Sequence, residues 1–271
     1  MKGKVKGKVA IVTGAAHGMG RSHCLVLAGE GADIAAVDLV RDQPLSSYPM
    51  GTQDEMNSLV KEVEALGRRA MPVRCDVTKS NQVADMLASV VKEFGKVDIL
   101  VNNVGVCRLE GIAEMTEEQW DFLLAVNVKS QFLCCKYVLP HMIKQRSGKI
   151  INIGSVSGRQ SNAEGIAYGP AKAAVHAFTH ALAKQVADYN INVNCVAPGS
   201  VNTPMVQGLR PQIAQGYGVT EDECYANMCK RNHLMGREIT EEDVSRAVLF
   251  LASEDSRNID GMVIYVDGGH P

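Results

Sequence analysis

The sequence predicts an α/β protein built on a single doubly wound parallel sheet, with helices on both faces. Three observations predict it. Short apolar runs rich in β-branched residues recur from end to end, amphipathic stretches of helical length separate most of them, and a glycine-rich turn joins the first run to the first such stretch.

The strand candidates are Val9–Thr13, Asp33–Asp38, Ala70–Cys75, Ile99–Val101, Ile150–Ile153, Val193–Val196 and Val263–Val266. Each is short and apolar, as expected of strands buried on both faces. Thr116 and Gln119 have capping-box spacing and open a helix through Trp120, and Thr240 caps another from Glu241 to about Ser253. Two stretches depart from the alternation. Arg41 to about Glu55 carries Pro44, Pro49 and Gly51 and reads as an extended loop after the second strand. Asn202 to about Asn232 carries Pro204, Pro211 and several glycines and reads as an irregular insertion with a short capped helix from Thr220. No second core, repeat or low-complexity linker is visible, so residues 1–271 are expected to form one Rossmann-type domain.

Composition bounds the function. The chain has 271 residues, 46% hydrophobic and 21% charged, with a formal net charge of -2. That balance gives no global field toward nucleic acid or an anionic membrane. No apolar run suggests a membrane span or a signal peptide, and a cytoplasmic location is expected. The eight cysteines are scattered without a CxxC pair, which reads as reduced thiols and no metal site.

The run Thr13–Gly20, TGAAHGMG, follows the first strand and opens a helix. Gly14 permits a tight turn, Gly18 lets the backbone approach a pyrophosphate, and Gly20 allows close packing of helix on sheet. The helix N-terminus then offers N–H groups to phosphates, with His17 and Met19 beside them. Such turns also occur as plain loops. Asp38 strengthens the nucleotide reading, because an acid at the end of the second strand hydrogen-bonds ribose hydroxyls and repels a 2′-phosphate. NAD is therefore favoured over NADP, with Arg41 as the competing cation and a solvated carboxylate as the bland alternative.

Ser155 lies just past the fifth strand, Tyr168 follows 13 residues later, and Lys172 comes four after that. Residues four apart share a helix face, so the Lys172 ammonium is expected to lie near the Tyr168 phenol and lower its pKa. Tyr and Lys at this spacing also occur by chance; the position at strand ends, where such sheets bind ligands, carries more weight.

These residues resemble the short-chain dehydrogenases/reductases over nearly the whole chain. TGAAHGMG resembles the cofactor loop, Cys75-Asp76-Val77 the adenine-contacting turn, and Asn102-Asn103-Val104-Gly105 the NNAG motif with valine for alanine. Asn127 matches the helix asparagine, Ser155 with Tyr168 and Lys172 the serine and YxxxK motif, and Pro198-Gly199 followed by Val201-Asn202-Thr203-Pro204 the nicotinamide loop. The tail VDGGH resembles the C-terminal signature.

The resemblance implies an NAD-dependent interconversion of a secondary alcohol and a ketone. It implies Tyr168 as general acid/base and Lys172 as the group that depresses its pKa and holds the nicotinamide ribose. It implies Ser155 as the hydroxyl on the substrate oxygen and Asn127 as support for a water. Asp76, Val77, Asn103 and Gly105 would flank the cofactor, with Pro198, Gly199, Val201 and Thr203 by the nicotinamide. Two departures are Gly169-Pro170 inside YxxxK, which places the helix start near Tyr168, and Val104, which adds bulk beside the cofactor.

The long loop after Asp38, with Arg21-Ser22-His23 and the run from Glu64 to Arg69, resembles a carveol-dehydrogenase-like subgroup, some members of which hold NAD without free exchange. Hydroxysteroid dehydrogenases are a second neighbour. Both imply alcohols on alicyclic rings, such as hydroxysteroids or cyclic terpenoids. The family implies homotetramers paired through helix faces around Trp120–Tyr137 and Tyr168–Ala187.

Among other residues, Met205, Met228 and Met235 are candidates for apolar substrate contact, while Trp120, Phe122 and Cys195 read as packing and His141, His176 and His180 as surface or interface. Two rival functions remain: a reductase of acyl-carrier carbonyls, disfavoured by Asp38, and a non-catalytic nucleotide sensor, disfavoured by the intact Ser155, Tyr168 and Lys172.

Overall fold

The computed structural model describes residues 3–161 and 165–269. Seven strands form one parallel sheet in the order β3-β2-β1-β4-β5-β6-β7. They are β1 Val9–Thr13, β2 Asp33–Asp38, β3 Ala70–Arg74, β4 Ile99–Asn102, β5 Gly148–Ile153, β6 Ile191–Pro198 and β7 Val263–Val266. All seven expected strands are present, and β5 and β6 run longer than their apolar cores. Lys149 and Asn192 extend them as a neighbouring pair in the ladder, and the Lys149 ammonium hydrogen-bonds the Asn192 side chain at 2.7 Å.

The expectation of uniformly buried strands fails at the two edges. β3 and β7 are half-exposed, and Pro72 sits in β3, an edge strand where its missing N–H removes no essential ladder bond.

The sheet carries a core on each side. In β1, Ala10 and Val12 join Leu27, Met56, Leu59, Val63 and Val248 on one face, while Val9 and Ile11 join Val83, Leu133, Val138 and Leu182 on the other. The first layer comes from α1 Gly18–Gly29, α2 Gln53–Ala65 and α9 Glu241–Ala252. The second comes from α3 Ser80–Phe94, α5 Ser130–Gln145 and α6 Tyr168–Val186. Strand order reverses between β1 and β4, which opens a crevice at the C-terminal ends of the strands.

The helix starts follow from their caps. Thr52, Thr116, Thr220 and Thr240 each form a capping box, so α2, α4 Glu117–Leu124, α8 Glu221–Asn232 and α9 begin where a threonine satisfies an orphan N–H. The expected irregular insertion is instead largely helical. α7 spans Pro204–Tyr217, capped by Thr203 through the Val206 N–H at 3.4 Å and closed by Gly218 in the left-handed region. Pro204 occupies the first turn, where no N–H is needed, and the terminal glycine ends the helix rather than breaking it. Pro211 is the one proline in its interior, beside Gly208 and Gly216.

α4 and α5 are joined by a π-helical turn, Ala125–Lys129. The continuous stretch Glu117–Gln145 is the one helix among the described residues long and apolar enough to cross a membrane, with mean hydropathy 1.3; half of its most apolar window is buried inside the protein, and α5 packs on β4, β5 and α3. All eight cysteines are buried and unpaired, and burial pushes their thiols up, to about 12 for Cys75, Cys107, Cys135 and Cys195.

Candidate active site

Two hollows meet at the C-terminal edge of the sheet. The first, of about 470 Å³, runs from Gly14, His17, Gly18 and Met19 past Asp38, Asp76 and Val77 to Asn103, Gly105, Tyr168, Lys172 and Thr203. The second, of about 740 Å³, is bounded by Ser155, Tyr168, Gly199, Met205, Leu209 and Met228. Tyr168 lines both, with Met205 beside it.

The glycine loop is shaped for a close ligand. Gly14 and Gly18 have φ of 67° and 57°, a region that disfavours side chains. A Cβ on Gly20 would collide with the Gly14 carbonyl, which explains the close approach of α1 to the turn. His17, the N-cap of α1, makes no side-chain cap, so the first-turn N–H groups are left to a ligand, while its imidazole lies 3.9 Å from Glu55. Val104 brings Cγ2 to 3.3 Å from the Cβ position of Gly14, so its added bulk rests against the loop.

Asp38 ends β2 with one oxygen accepting from the Ala16 N–H at 3.0 Å and the other from the Val40 N–H at 3.1 Å. Its competing cation is drawn away, since Arg41 lies 4.0 Å from Asp76. Asp76 also accepts from Thr78 Oγ1 at 2.6 Å. Asn103 donates to Thr13 O at 3.0 Å and Gly14 O at 3.2 Å, which ties β4 to the glycine loop, and its side chain also meets the buried His23 imidazole. Uncapped N–H groups at one end and a carboxylate at the other fit a dinucleotide. Gly20, Pro198 and Val201 lie behind the cleft wall: Val201 is in the core and bridges Ile239, and Pro198 ends β6.

The three candidate catalytic residues come from two elements. Ser155 follows β5 and N-caps a 3-10 turn, Val156–Gly158, accepting from the Ser157 N–H at 3.1 Å. Tyr168 begins α6, as Gly169-Pro170 require, and Lys172 lies one turn on. Lys172 is 2% exposed, donates to the Ile153 carbonyl at 2.9 Å and stands 5.5 Å from the Tyr168 ring centroid.

The electrostatics differ from the sequence expectation. Burial pushes the Tyr168 phenol above the ordinary tyrosine range, Cys107 adds to that, and a hydrogen bond from Ser155 opposes it. Lys172 is itself depressed to about 8 by burial, with Cys195 and Cys107 pulling the other way. The Ser155 hydrogen bond favours the ionised phenol, while the Lys172 ammonium hydrogen-bonds the Ile153 carbonyl.

Asn127 sits fully buried in the π turn. Its Nδ2 donates to Leu123 O at 2.9 Å and Val106 O at 2.8 Å, and its Oδ1 accepts from Val106 N at 3.2 Å. The Leu123 carbonyl is the one an α-helix would pair with the Asn127 N–H, so the side chain replaces the backbone donor at the distortion. With its amide committed, Asn127 braces the turn at Gly105, whose missing Cβ would lie 3.0 Å from Asn127 Oδ1 and 3.2 Å from Lys172 Nζ.

Sequence reasoning missed Tyr48. The loop after β2 crosses the first hollow, placing Gln43, Leu45, Tyr48, Met50 and Gly51 along it. Arg108 fastens it by a hydrogen bond to the Leu45 carbonyl. Gly51 passes so close to Asp38 that a Cβ would meet both carboxylate oxygens at 3.4 Å and Ala16 Cβ at 2.7 Å. Tyr48 is 7% exposed and packs with Cys107, Leu209 and Tyr168. The prolines and glycine after Asp38 marked the segment; nothing local marked where its tyrosine would land. Met235, expected near substrate, is exposed at 61% and lines neither hollow, whereas Met205 and Met228 do line the second. His176, read as a surface or interface residue, is partly buried under the Ser155 loop. His270 of the VDGGH tail lies outside the described residues.

The family model described as short chain dehydrogenase matches residues 8–214. The chain belongs to the short-chain dehydrogenase family. It is 37% identical over 266 residues to a 3-oxoacyl-acyl-carrier-protein reductase of Thermotoga maritima, covering 98% of both chains. It is 33% identical over 274 residues to (-)-trans-carveol dehydrogenase of Rhodococcus erythropolis, again covering 98% of each. Among solved structures, the carveol dehydrogenase of Mycobacterium avium in complex with NAD superposes with a TM-score of 0.94 at 31% identity, covering 99% of both chains. This short-chain dehydrogenase is thus a nicotinamide-dependent oxidoreductase acting on a small-molecule alcohol or ketone.

Proposed function

We propose that this short-chain dehydrogenase interconverts a secondary alcohol and a ketone with NAD, on a bulky apolar cyclic substrate such as a cyclic terpenoid alcohol or hydroxysteroid. The observation that carries the reading is Tyr168, the polar group at the junction of a dinucleotide-shaped cleft and a largely apolar cavity. The bound nicotinamide supplies the hydride chemistry. In oxidation, Ser155 Oγ holds the substrate hydroxyl and the Tyr168 phenolate oxygen removes its proton. Lys172 would hold the nicotinamide ribose, and its ammonium, so placed, would draw the Tyr168 phenol toward ionisation. Asn127 keeps the Gly105 turn open beside Lys172.

Asp38 supports NAD over NADP, since a 2′-phosphate would approach its carboxylate while Arg41 leans toward Asp76. α7 and α8 supply Met205, Leu209, Ile213 and Met228 to the substrate wall. The whole chain acts as one catalytic domain. It assembles as a homotetramer through α5 and α6, where Phe132 is 48% exposed, and the unpaired thiols suit the cytoplasm.

The 37% identity to a 3-oxoacyl-carrier reductase favours a second reading, reduction of a 3-oxoacyl thioester. One panel separates them. NADH absorbance is followed with carveol, a 3-hydroxysteroid, cyclohexanol and 2-butanol, and oxidation of NADH and NADPH with an acetoacetyl thioester. Cyclic alcohols should exceed 2-butanol in kcat/KM. Equal turnover of 2-butanol ends the bulky-substrate assignment, and thioester reduction exceeding all alcohols installs the second reading.

A further inference from the structure

The segment Gly154–Gly158, which carries Ser155, wraps around a single imidazole. A Cβ on Gly154 would stand 2.6 Å from Nε2 of His176 and 2.7 Å from Cys195 Sγ; a Cβ on Gly158 would stand 2.6 Å from Cε1 of His176 and 2.8 Å from the Lys172 carbonyl, so the ring is the one side chain common to both ends of the turn. The residues on both sides of the Ser155 turn thus lack side chains where the His176 ring fills the space. The turn has little other freedom. The Gly154 N–H is held by the Val196 carbonyl at 2.8 Å, the Gly158 N–H by the Ser155 carbonyl at 3.0 Å, and Ser155 Oγ by the Ser157 N–H at 3.1 Å. The direction of the Ser155 hydroxyl follows from this turn, and the turn rests on the ring.

The ring is backed in turn. His176 lies four residues after Lys172 and eight after Tyr168, on the same face of α6. Tyr265 meets it edge-on at 6.1 Å between centroids. The Arg159 guanidinium, directly after the turn, lies 4.4 Å over Tyr265 and 3.7 Å from Asp267. His176 Nε2 is buried without a hydrogen-bond partner, so the imidazole acts on the turn by shape. Burial, and after it the Lys172 charge, lower its pKa, which keeps a second cation away from Lys172.

We infer that His176 is a positioning residue for Ser155, its ring setting the height and direction at which the hydroxyl meets the substrate oxygen beside Tyr168. The inference rests on the assignment of Ser155 given above. Small displacements of a group that must lie within hydrogen-bond reach cost rate steeply, so the effect should be visible in kinetics while the fold stands.

The test is a double-mutant cycle on the full-length enzyme with carveol and NAD, or whichever cyclic alcohol the panel selects. Ser155→Ala alone should lower kcat/KM at least about 10-fold; if it does not, the assignment of Ser155 fails and His176 with it. His176→Ala should lower kcat/KM by about 10-fold, leave NAD affinity by fluorescence titration within about 2-fold, and have almost no further effect in the Ser155→Ala background. His176→Leu, which refills the space without a ring nitrogen, should recover most of the loss. Should the alanine variant fail to fold, His176→Val, which fills only part of the space, takes its place in the same cycle, with a smaller loss in kcat/KM that again vanishes in the Ser155→Ala background. An equal loss in both backgrounds, a parallel loss of NAD affinity, or wild-type kinetics in the folded variant each overturns the inference.

Discussion

Lys172 spends its ammonium on the carbonyl oxygen of Ile153, at 2.9 Å, rather than on the phenol of Tyr168, whose ring centroid is 5.5 Å away. The side chain is almost fully enclosed, and the protein alone does not make it comfortable: burial brings its pKa to about 8. The pH dependence follows. An unfolded lysine titrates near 10.4. Between about 8 and that value the unfolded chain binds more protons, so this group makes stability rise with pH there; below about pH 8 its full cost is present.

Lys172→Met should therefore stabilise the cofactor-free protein at neutral pH by about 1–3 kcal/mol while abolishing turnover. The lower end is favoured, because the Ile153 carbonyl loses its donor. Urea melts of both proteins at about pH 7 and about pH 10 check this, with the difference shrinking at the higher pH. A variant less stable than wild type at neutral pH would show that the lysine is not under strain.

Tyr168→Phe keeps the ring that lines both hollows and removes the phenol hydroxyl. Turnover should fall at least ~100-fold with NAD affinity and melting temperature near normal. Steady-state kinetics beside a cofactor titration decide the matter. A folded variant with wild-type turnover would take the proton-transfer role away from this residue.

Asp38→Ala should raise kcat/KM with NADP relative to NAD by at least about 10-fold, by removing the charge opposed to a 2′-phosphate. Arg41 would then be the nearby cation. The same substitution removes acceptors from the Ala16 and Val40 N–H groups, so a modest loss of stability is expected as well. Unchanged cofactor preference would move the discrimination elsewhere.

Gly208 on α7 leaves room for Tyr48, and a Cβ there would fall well inside contact with Tyr48 Cβ. Gly208→Ala should cost about 1–3 kcal/mol through overpacking. Combining it with Tyr48→Gly, which removes the clashing Cβ, should cost less than the sum of the two single changes. Thermal melts of the three variants measure it; strict additivity would show that the loop and the helix do not press on one another.

Much of this was legible in the sequence for stated reasons. β1 and β2 are continuous apolar runs flanked by turn residues, and their ends came out where Thr13 and Asp38 stand. Ser155, Tyr168 and Lys172 were readable because a strand end and one helical turn fix their spacing. α7 was misread for a physical reason: Pro204 and Gly218 break a helix only in its interior, and here they occupy its first turn and its end. Tyr48 and His176 were missed because their roles arise from contacts across the fold, with Gly208 and with Gly154 and Gly158, that no local pattern encodes. The direction of the Tyr168 shift was missed because spacing says that two groups share a face, not where an ammonium points.

The eight buried thiols have a practical consequence. Cys75, Cys107 and Cys224 line the two hollows, while an alkylating reagent reaches the more deeply enclosed thiols only through an opening of the surrounding structure. The chain therefore carries built-in reporters at distinct depths. Cys24 lies on the buried face of α1, Cys134 and Cys135 on α5 against the sheet, Cys107 by Tyr168, and Cys224 and Cys229 on α8. The order in which they are labelled becomes a clock for which parts of the molecule breathe first, and a cysteine introduced on the surface would be the first site a dye finds in the native state.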